Sequence, residues 1–396
     1  MTSLAAELAT WAAELAPNHR DLELADRSLL DTVAVAVAAR TEPVIGRALG
    51  LSEAARWATA AHVLDFDDLH MRSTTHISVV CLPAVLATGG GAQAYLAAAG
   101  VMARLGNALG WPHYTAGWHA TTTAGAPAAA VGAGIALGLD AGRLATAMAL
   151  AVPAAGGVQR SFGTDAKSLQ VGFAADAGVR AARLAAAGAT ADASALDSWF
   201  ELVGGDPSAL DLAGPAVPGG LAVKVFPSCY ALQRPISALS ALAHDQRVKP
   251  DEVERIVVRT PTSTVTPLIH HRPDTGLQAK FSLEYAAATA LLDDYAGFWS
   301  FSDEAVRRPE ARRLVELVEV HLGEGGDWLL AGEFEADVYV GGEVLHAREQ
   351  FPPGSPERPP TVDELMRKVS DCLAGTELDP DTITWAGAAQ TLRDHL

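Results

Sequence analysis

Cysteine is scarce in this chain of 396 residues: Cys81, Cys229 and Cys372 stand far apart, too few and too isolated for a disulfide framework or a zinc knuckle. Positive charge is also short. Lys+Arg of 29 against Asp+Glu of 47 leaves a net charge of −18, with no basic cluster, which argues against nucleic acid and anionic membrane as partners. A small anionic substrate stays compatible with that balance, because a pocket needs only a few local cations. Long apolar runs are missing as well. The longest, Ala124 to Leu139, is broken by Pro127 and glycines and falls short of the roughly 20 residues a bilayer requires, so it reads as a buried helix. The first seventeen residues carry Glu7 and Glu14 and no basic start, which reads as an amphipathic helix and not a signal peptide. With unpaired thiols, this leads to the expectation of a cytoplasmic protein.

What is abundant is apolar: hydrophobic residues reach 49% and charged ones 19%, a balance that excludes disorder and predicts a soluble globular chain. From residue 1 to about 222, Ala and Leu recur at helical spacing, broken by Gly and Pro. The spacing predicts helices over Asp26 to Ala39, Ala92 to Gly106, Asp140 to Val152 and Gln170 to Ala187, with Asp140 as an N-cap. After Lys224 the pattern changes. Glu254 to Thr260, Glu335 to Val340 and Glu343 to His346 alternate apolar and polar residues, as strands do, and Ala279 to Asp293 has a helical period. Thr361 and Glu364 have capping-box spacing and open a helix to about Ala374. The expected fold is mainly α with a smaller α+β domain: residues 1–222 all-helical, 223–355 α+β, and 356–396 helices that rejoin the first domain. Pro215 to Gly220 would serve as the hinge.

Chemistry concentrates in a few places. Between His62 and His76 lie three histidines and three aspartates within fifteen positions. On a continuing helix, His62, Asp65 and Asp68 would share a face. The plainer alternative is a solvated helix end. A second segment, Gly117-Trp-His119-Ala-Thr121-Thr-Thr, feeds the apolar helix and offers an imidazole and hydroxyls at a helix N-terminus, where free N–H groups favour an anion. Two lone lysines stand out. Lys167 precedes an apolar helix with Gln170 in its first turn, and Lys224 stands before Pro227, Ser228 and Cys229. Other templates fail, since the chain has no GxSxG elbow and no GK[ST] phosphate loop. A magnesium site from Asp65, Asp67, Asp68 and His70 is disfavoured because successive helical positions point different ways; no metal is expected.

Taken in order, these segments resemble the MmgE/PrpD family. The resemblance runs through Leu29-Leu-Asp-Thr-Val33, Leu64-Asp-Phe-Asp-Asp68, Thr75-His76, Gly117-Trp-His119-Ala-Thr121, Lys167-Ser-Leu-Gln-Val-Gly172, Lys224-Val-Phe-Pro-Ser-Cys229 and Ala279-Lys-Phe-Ser-Leu-Glu-Tyr285, nearly the whole chain. It implies a large helical domain with an α+β lid, a homodimer, and a cofactor-independent lyase acting on a small polycarboxylate. It also implies Asp65, His76, His119, Lys167 and Lys224 as catalytic residues. The two lysines would also contact the substrate, with Thr75, Thr121, Gln170 and Cys229 beside them. Within that chemistry lysines neutralise carboxylates, histidines move protons, and Asp65 would orient a histidine.

The chain departs from the family pattern at Leu69, where relatives have threonine, at Ile77 for proline, and at Gln170 and Gln233 for histidine. Glutamine cannot exchange a proton at neutral pH, so an altered specificity follows. Dehydration is placed ahead of decarboxylation. The alternatives are epimerisation of a dicarboxylate, a non-catalytic polyanion-binding homologue, and a metal-dependent hydro-lyase built on the Asp65 to His76 cluster.

Overall fold

The computed structural model describes residues 3–324 and 331–396. The chain divides into two compact units, Met1–Ala222 with Cys372–Leu396, and Val223–Asp371. The first holds helices α1 (Leu4–Glu14), α2 (His19–Ala38), α3 (Pro43–Arg47), α4 (Glu53–Val63) and α5 (Ser78–Leu86). It continues with α6 (Ala92–Thr115), α7 (Ala120–Ala136), α8 (Ala141–Ala151), α9 (Asp165–Ala186) and α10 (Ala195–Leu202). The mainly helical class expected from Ala and Leu periodicity is observed.

Several ends follow from single side chains. Ser3 caps α1 through the Ala6 N–H, Asn18 and Asp21 form a reciprocal capping box on α2, and the Asp140 carboxylate accepts the Arg143 N–H at 2.9 Å. Such caps satisfy backbone donors that the first helical turn leaves open. Helix α7 is the centre of this unit and is covered by α5, α6, α8 and α9. It is built from Ala, Gly, Thr and Val and is buried from Ala120 to Gly134, so its neighbours approach close to its backbone. No helix among the described residues is long and apolar enough to cross a membrane.

The chain leading into the Pro215 to Gly220 segment is held to the helical unit. Buried Arg104 on α6 donates to the carbonyls of Leu212, Ala213, Pro215 and Ala216 at 2.8–3.4 Å. Asp21 accepts the Ala216 N–H at 3.2 Å. A guanidinium has enough donors to hold several carbonyls at once, and here they fix the chain before Ala222.

The second unit contains α11 (Gln233–Gln246), β1 (Val253–Pro261), α12 (Thr262–Val265), α13 (Gly276–Ala279), α14 (Leu283–Leu292), α15 (Asp303–Val306) and α16 (Pro309–Glu316). It ends with β2 (Val318–Gly323), β3 (Phe334–Val340), β4 (Glu343–Glu349) and α17 (Val362–Leu373). The sheet order is β2-β1-β3-β4, with β1 parallel to β2 and antiparallel to β3. Ile256 pairs with both Val318 and Val338, and its side chain, like that of Val258, is buried, with α11 and α14 packed on the strands.

Helix α17 opens with the expected capping box, Thr361 and Glu364 exchanging bonds of 2.8 and 3.1 Å. It differs from expectation in its place, because the chain returns to the helical unit at Cys372 and not at residue 356. The cause is local contact: Arg367 lies 4.2 Å above the Tyr295 ring and Asp371 accepts the Phe298 N–H at 3.3 Å. The tail forms α18 (Ala388–His395), tied to the first unit by the Arg393–Glu53 ion pair.

Candidate active site

Helix α4 stops at Val63, and Asp65 takes a left-handed conformation with φ of 55°. That turn breaks the helical spacing on which His62, Asp65 and Asp68 would have shared a face. Each aspartate faces its own partner. Asp65 Oδ1 accepts from Lys167 Nζ at 2.7 Å. Asp68 accepts the Ser78 backbone N–H at 3.2 Å and its hydroxyl, closing the start of α5. Asp67 Oδ2 accepts from His62 Nδ1 at 2.8 Å and stands 2.8 Å from His76 Nδ1, a contact at ion-pair distance whose direction makes no hydrogen bond. The cluster is therefore no solvated helix end: Asp67 and Asp68 are fully buried.

Two hydrogen bonds hold the loop that carries His76. The His76 backbone N–H donates to Thr121 Oγ1 at 3.0 Å, and His70 N–H donates to the Thr75 carbonyl at 2.8 Å. Thr75 Oγ1 lies 2.6 Å from Ser73 Oγ, which lies 2.6 Å from His70 Nδ1, while His70 Nε2 reaches the Pro218 carbonyl at 2.7 Å. A carbonyl only accepts, so His70 Nε2 carries the proton and Nδ1 accepts from Ser73. Thr75 is thus tied within the loop, and His70 links the loop to the Pro218 carbonyl.

His119 is the N-cap residue of α7, its N–H bonded to the Gly157 carbonyl at 3.0 Å. Thr122 Oγ1 bonds back to the His119 carbonyl at 2.9 Å. The His119 ring lies 5.9 Å from that of His62, and His62 lies 4.8 Å from His76, measured between centroids. Phe162 stands between His119 and Lys167: its ring is 5.0 Å from the imidazole, edge-on, and 5.6 Å from the ammonium. Gln170, one turn after Lys167 on α9, places Nε2 2.6 Å from His119 Nδ1.

Burial holds two of the three imidazoles neutral. Burial pushes His62 down to about 4, although the Asp67 charge pulls the other way, so it is neutral at pH 7 and its Nδ1–H points at Asp67. His62 Nε2 and Asp67 Oδ1 are buried without a hydrogen-bond partner. Burial alone would raise the Asp67 carboxyl, but the facing imidazoles of His62 and His76 outweigh it and hold it well below its usual range. Burial, with His62, Lys167 and His76 nearby, holds His119 well below 6.5. Only His76 lies directly against an anion while keeping part of its side chain, 15%, open to solvent.

The site expected from sequence is thus gathered in the first unit for Asp65, His76, His119, Thr121, Lys167 and Gln170, with Thr75 just before His76 in the loop. Lys224 and Cys229 belong to the second unit, where both are buried. Gln233 shapes their loop: its Oε1 accepts the N–H groups of Val225 and Phe226, both at 3.1 Å, and its Nε2 donates to the Phe226 carbonyl at 2.9 Å. The roles of His62, Asp67 and Phe162 were not identified from the sequence. The first two lie in the dense titratable segment, but nothing in their spacing says which carboxylate meets which ring. Among the described residues His62, Asp67 and His76 are the group geometrically able to hold a metal ion, with donor atoms within 4.8 Å of one another.

The chain matches two family models: the MmgE/PrpD N-terminal domain over residues 51–201, which includes the imidazoles and Lys167, and the MmgE/PrpD C-terminal domain over residues 226–380. The chain belongs to the MmgE/PrpD family. Among its relatives, cis-aconitate decarboxylase of Aspergillus terreus is 25% identical over 450 aligned residues, covering 96% of this chain and 91% of that protein. The cis-aconitate decarboxylases of Mus musculus and Homo sapiens are 30% and 28% identical, each over 51% of this chain and 44% of their own length.

Proposed function

We propose that this protein is a lyase that decarboxylates a small unsaturated polycarboxylate of the cis-aconitate type by acid–base chemistry. The observation that carries the reading is the placement of His76 against the buried Asp67 carboxylate, with the His62 ring 4.8 Å from it and 5.9 Å from the charge-free imidazole of His119, and an ion-paired lysine at Lys167. The names of the relatives support decarboxylation ahead of dehydration, which the family resemblance had placed first.

In the proposed reaction the bond to one carboxylate breaks, carbon dioxide leaves, and the electron pair stays on carbon. A proton from the His76 imidazolium quenches it. Asp67, not Asp65, is the carboxylate that faces this ring and offsets its positive charge. Solvent restores the proton at the exposed part of His76. Lys167 contributes positive charge for a remaining carboxylate, and Asp65 holds its ammonium in place.

The test is proton NMR in D₂O with cis-aconitate and a panel of hydroxy and amino polycarboxylic acids. The expected result is a decarboxylated product carrying one deuterium on carbon. Loss of water from a hydroxy acid with cis-aconitate untouched would overturn the reading in favour of a dehydratase, and exchange on an unchanged skeleton in favour of an epimerase. Chelator-treated protein run alongside should turn over equally well; activity lost and restored by added metal would make His62, Asp67 and His76 a metal site. The homodimer is part of the proposal, and sedimentation tests it.

A further inference from the structure

Gln170 makes a set of contacts that allows its amide only one orientation. Its Oε1 accepts the Val158 N–H at 3.1 Å, while its Nε2 lies 3.4 Å from the Val158 carbonyl and 2.6 Å from His119 Nδ1. Turning the amide over would set its NH₂ against the Val158 N–H and its oxygen against the Val158 carbonyl. With the oxygen committed, the side that meets the imidazole can only donate, so His119 Nδ1 must present a lone pair. A proton on Nδ1 would oppose two donors at 2.6 Å. The neutral ring then carries its proton on Nε2.

We propose that Gln170 is a positioning residue that locks His119 as the neutral Nε2–H tautomer, so that His119 acts as a hydrogen-bond donor to a substrate oxygen and leaves proton delivery to His76. The inference rests on the reaction proposed above, but its geometric half does not. A neutral imidazole kept from ionising can polarise a carboxylate or carbonyl without giving up its proton. The surroundings act in the same direction. His119 faces His62, His76 and Lys167, and the Asp67 carboxylate that pulls the other way is already engaged by two imidazoles. The backbone supports the lock: Gly157, whose carbonyl holds the His119 N–H, has φ of 125°, and a Cβ there would fall 2.1 Å from Thr122 Oγ1 and 3.0 Å from Gln170 Oε1.

The experiment is imidazole ¹⁵N NMR of the full-length protein, with His119 assigned by His119→Gln, followed by steady-state kinetics of Gln170→Glu and Gln170→Leu. In the unsubstituted protein His119 should show a lone-pair Nδ1 and a protonated Nε2 between pH 5.5 and 8.5. A carboxylate at position 170 accepts and cannot donate, so Gln170→Glu should move the proton to Nδ1 in the neutral ring. Its kcat should fall about 100-fold at alkaline pH, the scale of losing one donor to a developing charge. That activity should return on acidification, when the imidazolium regains Nε2–H. Gln170→Leu should lose less and show no such pH limb. A spectrum with His119 protonated at Nδ1 overturns the proposal, and so does a Gln170→Glu profile parallel to the parent. The expected tautomer in a protein that turns over none of the acids would uphold the lock and overturn the assigned reaction instead.

Discussion

At the scale of residues, charge is partitioned between neighbours only two positions apart. Asp65 belongs to Lys167 and Asp67 to the imidazoles, so their amides should have different kinetic signatures. Asp67→Asn keeps an acceptor for His62 but removes the charge facing His76. It should lower kcat by roughly two orders of magnitude, the low end of what a positioned acid–base group contributes. Asp65→Asn loosens Lys167 and should act first on KM. Steady-state kinetics of both variants, with urea midpoints as a folding control, separate the two roles. A wild-type kcat in Asp67→Asn would remove that carboxylate from proton transfer.

At the scale of elements, the site exists because three helices meet closely. His62 ends α4, His119 opens α7, and Lys167 and Gln170 lie in the first turns of α9. Helix α9 approaches α7 at Gly178, where a Cβ would stand 2.3 Å from Ala129 Cβ and 2.6 Å from the α7 backbone. Helix propensity alone says that alanine here stabilises by up to about 1 kcal/mol. Backbone cannot yield as a flexible side chain can, and overpacking of this kind costs about 1–3 kcal/mol. Gly178→Ala should therefore be destabilised by about 1–2 kcal/mol in chemical denaturation and lose kcat as α7 and α9 shift. Gly46→Ala on α3, where a Cβ meets nothing within 4 Å, should be neutral or stabilised. Equal behaviour of the two variants would show that the contact is not tight.

At the scale of the whole molecule, buried histidines set the response to acid. His62 and His70 are each pushed down to about 4 by burial, from an ordinary 6.5. The folded chain thus binds fewer protons than the unfolded one between those values, and their contribution, complete above 6.5, is lost as pH falls toward 4. Asp68 works in the opposite sense: burial raises it to about 7, so its contribution is complete below its ordinary 3.8 and lost as pH rises through 7. His113 and His119, also lowered by burial, act with these two histidines, while Glu349 and Asp371, raised by burial, act with Asp68. Four histidines thus outweigh three carboxyls as pH falls below 6.5. The urea midpoint should fall when pH is lowered from 7 to 4.5; a flat or rising midpoint would mean that these imidazoles are not held neutral.

Much of this was legible along the chain. Periodic Ala and Leu, the caps at Asp140 and Thr361, and the alternation in β1, β3 and β4 are decided within a turn or two of local sequence. Asp65, His76, His119, Lys167 and Gln170 stood out because they punctuate apolar segments in a recognisable order. Other features depended on segments distant in sequence. Strand β2 is a mostly exposed edge whose parallel pairing with β1 is set by the long helical crossover between them, and α17 packs by contacts to Tyr295 and Phe298, some seventy residues earlier. In the site, the left-handed turn at Asp65 reassigned each carboxylate, and the Val158 N–H turned Gln170 into a donor for His119. Periodicity and capping are short-range and act on the unfolded chain as well, whereas the partner of a buried charge is chosen only when packing removes water and leaves one neighbour to replace it.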